Sequence, residues 1–248
     1  MKPRDVTRVL WGAAALVFGY FVYAYLTLPD VRSLARSNPP TTAFIELRAA
    51  EARAEGRQPQ REQQWVSGDR IARDLKRAVV VAEDDRFWRH EGVDFGQLEE
   101  SLELDLARGR FVRGASTITQ QLAKNLYLSP ARSPTRKLRE LVIARRLEAE
   151  LGKARILELY LNTIEWGDGI YGVEAASRRY LSMPASSLGP AESALLAAAI
   201  VNPRRLDPSR PSARLLRRQQ LILGRMTGVT ASSETAPSVA VESVGGAK

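Results

Sequence analysis

The chain has 248 residues, 44% hydrophobic and 26% charged, enough to bury one core of ordinary size and too few for a large multidomain enzyme. It has no cysteine and one histidine, His90, which excludes disulfides, thiol nucleophiles, Cys-ligated metals and the two-histidine zinc motif. With 37 Lys and Arg against 28 Asp and Glu the formal net charge is +9, which favours an anionic partner: nucleic acid, anionic lipid or a phosphate-bearing substrate.

The first predicted element is a membrane span. From Val9 to Leu28 there are twenty consecutive uncharged residues, and at about 1.5 Å per residue a helix of that length crosses the ~30 Å hydrocarbon core. Lys2, Arg4 and Arg8 precede it, so residues 1–8 are expected in the cytoplasm and everything after Pro29 outside the membrane. An exported domain is not expected to meet nucleic acid. Lipid headgroups and lipid-linked phosphates are the better match for the charge.

Residues 29–64 read as a connector and membrane-proximal segment, first proline-punctuated and then rich in Glu, Arg and Gln. Residues 65–226 carry mostly helical signals, so the fold class is mainly α. The apolar run Leu75 to Ala82 predicts a helix. Asp94 followed by Gln97 resembles a capping box opening a helix that Gly109 closes. An apolar stripe at Leu138, Leu141, Val142 and Leu147 predicts a helix over 135–151, with Gly152 at its end. Leu157, Tyr160, Leu161 and Ile164 repeat the pattern, and the small apolar run 191–201 ends at Asn202-Pro203. Residues 227–248 lack aromatics and are expected to form a disordered tail.

Gly167, Gly169 and Gly172 satisfy the dinucleotide-binding glycine spacing, but a helical pattern precedes them where that fingerprint needs a strand. They read as a turn between helices. Three other segments carry chemistry. In the first, Glu83 to Asp94 places acids, aromatics and His90 directly behind an apolar run, and a carboxylate at such a boundary is desolvated toward the pKa of a useful general base. In the second, Arg113 to Asn125, the residues Thr117, Gln121 and Lys124 fall four and three apart on one helical face. The third sets Arg136 and Glu140 one turn apart, either a plain surface ion pair or part of a cation group for a diphosphate.

Together these segments resemble glycosyltransferase family 51, the peptidoglycan polymerases, in its monofunctional membrane-anchored form. The resemblance also takes in Tyr160-Leu161-Asn162 through Gly172 and Glu192 through Pro203, and departs from the family's usual pattern at Ala115, where a second glycine is common. It implies a lysozyme-like, mainly α fold with a smaller membrane-proximal lobe, and polymerisation of lipid II into β-1,4-linked glycan without transpeptidation. It assigns catalysis to Glu83, as general base, and Glu140. Substrate binding falls to Asp84, Phe87 and His90 on the acceptor side, and to Thr117, Gln121, Lys124, Asn125, Arg136 and Lys137 on the donor side. A divalent cation, Mg2+ or Mn2+, at Glu140 is the one cofactor it allows. The implied partners are lipid II, the growing glycan, the bilayer of the cytoplasmic (inner) membrane, and other cell-wall synthesis or division proteins. Two other readings stay open: a lytic or hydrolytic peptidoglycan enzyme, and a non-catalytic cell-wall scaffold.

Overall fold

The computed structural model describes residues 27–108, 116–131 and 133–228, with scattered positions between Trp11 and Leu26. Most of the expected span 9–28, Ala115, and all but two residues of the expected tail 227–248 lie outside the described residues. Among the described residues no helix is long and apolar enough to cross a membrane.

Helices dominate. In chain order they are α1 (Ala43–Ala54), α2 (Arg73–Glu83), α3 (Phe95–Arg108), α4 (Ile118–Tyr127), α5 (Pro134–Glu150), α6 (Lys153–Thr163), α7 (Val173–Leu181), α8 (Pro190–Ala199) and α9 (Ala213–Thr227). Three short strands, β1 (Glu62–Gln63), β2 (Glu165–Gly167) and β3 (Ile170–Tyr171), form one sheet in the order β1-β3-β2. β3 runs parallel to β1 and antiparallel to β2.

The helix starts are set by side chains that satisfy otherwise unpaired backbone N–H groups. Thr42 accepts from Ile45 N, Thr117 from Gln120 N, Ser133 from Arg136 N and Ser212 from Leu215 N. Asp94 likewise accepts from Gln97 N, but the Gln97 side-chain oxygen finds no partner, so half of the expected capping box is made. Gly152 caps the start of α6 and Leu151 closes α5, one residue earlier than glycine placement predicts.

One core holds the helices together. Leu75, Ala78 and Val79 of α2 are fully buried against the small residues of α8 and Leu215 of α9, while Leu122, Ile143, Leu147 and Ile156 lock α4, α5 and α6. Small side chains on α8 let α2 approach closely. The segment read as a connector belongs to this core as well: Val31 and Leu34 are buried in it, and α1 lies on α4.

The glycine-rich segment is a tight hairpin between α6 and α7. Gly172 sits at φ +78°, ψ 149°, and a Cβ there would lie 2.8 Å from the Asn162 carbonyl oxygen. Only glycine tolerates both constraints. Gly172→Ala is therefore expected to cost about 1–3 kcal/mol, a fall in Tm of roughly 3–10 °C. Thermal unfolding checks this, and an unchanged Tm would show that the turn relaxes.

Candidate functional site

The site is built where the C-terminus of α2 meets the N-terminus of α4. Glu83 is the last residue of α2, and Asp84 follows it in an extended conformation, turning its carboxylate back into the protein. Asp84 Oδ2 accepts from the backbone N–H of Ile118, the first residue of α4, at 2.9 Å. A carboxylate at a helix N-terminus also gains from the helix dipole. His90 Nδ1 accepts from Gly92 N, so its Nε2 carries the proton and donates to Asp84 at 3.0 Å.

With the helix ends fixed, Gln121 on the first turn of α4 reaches Glu83. Its Nε2 donates to Glu83 Oε2 at 3.0 Å, and the buried Tyr160 hydroxyl donates to its Oε1 at 2.9 Å, which fixes the direction of the amide. The other Glu83 oxygen lies 3.7 Å from Arg218 of α9, beyond hydrogen-bonding distance. Burial pushes the Glu83 carboxyl up, against the lowering effect of Gln121, Arg218 and Lys124. The result is a side chain 13% exposed, with one oxygen held and the other oxygen available.

Two cavities lie on either side of Gln121. A cleft of about 710 Å³ is lined by Glu83, Gln121, Ser116 and the arginines of α9. A smaller one of about 190 Å³ is lined by Gln121, Lys124, Asn125, Tyr160, Phe44 and Arg48. Gln121 belongs to both walls.

Beside the smaller cavity lies a cation group. Burial pushes the Lys124 ammonium down, Glu140 pulls it up, and Arg136 and Lys137 add to the lowering. Glu140, 3% exposed, accepts from Arg136 Nη1 at 2.6 Å and from Lys137 Nζ through its other oxygen. Lys137 also donates to Gln120 Oε1. The i,i+4 pair of the sequence is thus part of a three-membered cluster around a buried acid, both oxygens of which are engaged. Among the described residues no group of three or more acids or histidines could hold a metal ion. A divalent ion on Glu140 would have to displace Arg136 or Lys137, so the residues present do not fit a resident metal.

Of the expected site residues, Glu83, Gln121, Lys124 and Asn125 line the two cavities, and Arg136, Lys137 and Glu140 cluster beside Lys124. Asp84 also lines the larger cleft, but it is 2% exposed and its oxygens are committed to His90 and Ile118. Thr117, Phe87 and His90 point inward. Thr117 is fully buried, capping α4 and donating to the Gly92 carbonyl. Phe87 is fully buried beneath the Lys153 ammonium and against Trp88 and His90. These three hold the backbone that carries the site.

Four side chains at the site escape sequence reasoning. Phe44 and Arg48 come from α1, in the segment read as a connector. Glu165 accepts from Arg48 at 3.1 Å while its second oxygen is buried without a partner, and burial pushes its carboxyl up. Arg218, which faces Glu83, sits in an arginine-rich helix where spacing singles out none of its neighbours. No local signal marks any of these four.

A family model described as Transglycosylase matches residues 50–227, and the chain belongs to that family. It is 42% identical over 221 residues to the biosynthetic peptidoglycan transglycosylase of Laribacter hongkongensis, covering 89% of this chain and 97% of that protein. The protein of the same name from Aromatoleum aromaticum is 48% identical, over 82% of this chain and 87% of the relative. That from Thiobacillus denitrificans is 44% identical, over 90% and 98%.

A buried carboxyl with a raised pKa makes the fold less stable as pH rises through that pKa, because the folded state then carries an unneutralised charge. Glu83→Gln keeps an acceptor for Gln121 and removes the charge. Its Tm is expected to match the wild type near pH 4 and exceed it progressively toward about pH 7. Melting curves across that range test the assignment, and a variant less stable at neutral pH would refute it.

Proposed function

We propose that the protein is a peptidoglycan glycosyltransferase that joins lipid II units into β-1,4-linked glycan strands. The observation that carries this reading is the position of Glu83, whose free oxygen lines the larger cleft and whose partner Gln121 also walls the smaller cavity, where Lys124 supplies a cation. Transfer between two sugars needs that arrangement. One sugar brings a hydroxyl to be deprotonated and the other brings a leaving group to be stabilised.

In the reaction, the acceptor's 4-hydroxyl occupies the larger cleft and the growing donor strand the smaller cavity. Glu83 takes the hydroxyl proton as the oxygen forms its bond to donor C1. The bond from C1 to the diphosphate oxygen breaks, and the electron pair leaves with the polyprenyl diphosphate. Lys124 and Arg136, joined by Lys137, hold the diphosphate as its charge grows. One direct displacement converts an α-linked donor into a β-linked product, so no covalent glycosyl-enzyme forms. Glu140 keeps the cations gathered before substrate arrives, and no step passes through a metal.

A polyprenyl tail stays in the bilayer, so the reaction belongs at a membrane surface. The apolar stretch 9–28 anchors the chain in the cytoplasmic membrane with residues 1–8 inside and the catalytic domain outside. A smaller membrane-proximal lobe beside a lysozyme-like one fits this placement, as do partners among other cell-wall synthesis and division proteins. A hydrolytic enzyme acting on finished glycan has no diphosphate to hold, and the cluster around Glu140 has no task in it. A non-catalytic scaffold has no need of a desolvated carboxylate kept open on one side.

Detergent-purified full-length protein given labelled lipid II is expected to make long, lysozyme-sensitive glycan. General-base catalysis supplies on the order of 10²–10⁴ in rate, so Glu83→Gln should lose about that much while remaining folded. Near-normal turnover in that variant would remove Glu83 from its role. Lys124→Ala and Arg136→Ala each delete a charge-assisted contact and should raise donor KM roughly 10- to 100-fold. An unchanged donor requirement in both would place the diphosphate elsewhere.

A further inference from the structure

The larger cleft has one wall that the reaction above leaves unused. α9 presents Arg214, Arg217, Arg218, Leu221 and Arg225 to it, at the three- and four-residue spacings of a single helical face. Arg218 faces Glu83 and Arg225 donates to Asp85 at 3.0 Å.

Each acid lining the cleft already has a polar partner, and Glu83 keeps an open oxygen on the side of Arg218. Glu83 is held by Gln121, Asp84 by His90 and the Ile118 N–H, Asp85 by Arg225, and Glu100 by Arg86 at 2.7 Å. Arg214 and Arg217 are exposed, and neither has a hydrogen bond or ion pair with any described residue. Two unpaired guanidinium groups on a concave wall beside a third, Arg218, make a strong local positive potential. Guanidinium forks match carboxylate and phosphate oxygens two at a time.

Their distance from the reacting group narrows the ligand. Arg214 and Arg217 lie within about one helical turn, ~5.4 Å, of Arg218, which itself faces Glu83. An anion bound there sits about one sugar ring beyond the hydroxyl presented to Glu83. In a lipid-linked disaccharide-peptide, the second sugar carries both the peptide and the diphosphate.

We propose that Arg214 and Arg217 form an anion subsite that binds the acceptor through a charged group on its second sugar, either a peptide carboxylate or the diphosphate. The proposal deepens the polymerase reading and rests on it. The subsite selects and orients the acceptor, leaving donor binding and the chemical step to the residues already described.

The test separates the two substrates by using a donor blocked at its own 4-hydroxyl and varying the acceptor, with full-length wild type and the Arg214→Gln/Arg217→Gln double variant. On the natural acceptor the variant should show acceptor KM raised about tenfold, with kcat within about twofold and donor KM unchanged. Melting curves of the two proteins should coincide. An acceptor whose peptide carboxylates are amidated, and one whose diphosphate is replaced by an alkyl glycoside, identify the group bound. Wild type and variant should have equal KM on whichever acceptor lacks it. Equal KM on the natural acceptor, a loss confined to kcat, or the same loss on all three acceptors would overturn the subsite. A wild type that transfers no sugar at all would instead overturn the polymerase reading, and the subsite with it.

Discussion

The site depends on Asp84 more than on any side chain that opens to a cavity. Its carboxylate fastens the end of α2 to the start of α4, and Glu83 and Gln121 stand on the two sides of that joint. Because the donating N–H belongs to the first residue of α4, the bond fixes the helix along its axis as well as in its approach. His90 and Gly92 complete the joint from the intervening loop, and Thr117 ties the same loop to the N-cap of α4. A rigid joint matters because a general base must be placed to within a fraction of an ångström of its proton.

The electrostatics divide along the same line. On the α2 side burial works against a charge, and Glu83 is a stronger base than it would be in water. On the α5 side Glu140 is surrounded by cations that it keeps assembled in a partly buried place where they would otherwise repel one another. Lys124 lies between these environments, drawn by both acids and opposed by Arg136 and Lys137. Cations gathered in advance by Glu140 need little rearrangement to meet an anion, which is the advantage of preorganised charge.

Much of the helical order was legible because apolar spacing reports a buried face directly. The run behind Glu83 and the stripe of α5 locate two helices to within a residue or two, and the Arg136 to Glu140 spacing identifies an ion pair that the fold retains. Periodicity does not say which polar residue on a face reaches a cavity and which caps a turn. Thr117 shares a helical face with Gln121 and Lys124 in projection, but as N-cap it turns into the backbone. Phe87 lies in a charged segment and is nonetheless fully buried, and the His90 side chain beside it is nearly covered. Phe44, Arg48, Glu165 and Arg218 reach the site only through long-range packing of α1, the hairpin and α9, for which a single sequence carries no signal. The proline-punctuated stretch before α1 reads as a spacer, since two buried side chains, Val31 and Leu34, are too few to show a period.

α1 seats itself on α4 through the Thr42 hydroxyl donating to Asn125 and through buried Ile45 and Ala52. Its first residues precede the region that the family model matches, which begins at residue 50. The limits of the matched family domain and the limits of the physical object therefore differ. A chain shortened to begin at residue 50 would keep Glu83, Lys124 and Glu140 yet lose Phe44 and Arg48, one wall of the smaller cavity, along with the partner of Glu165. The least portion that lines the whole smaller cavity reaches back to Phe44, and the core that supports it draws on Val31 and Leu34 further upstream.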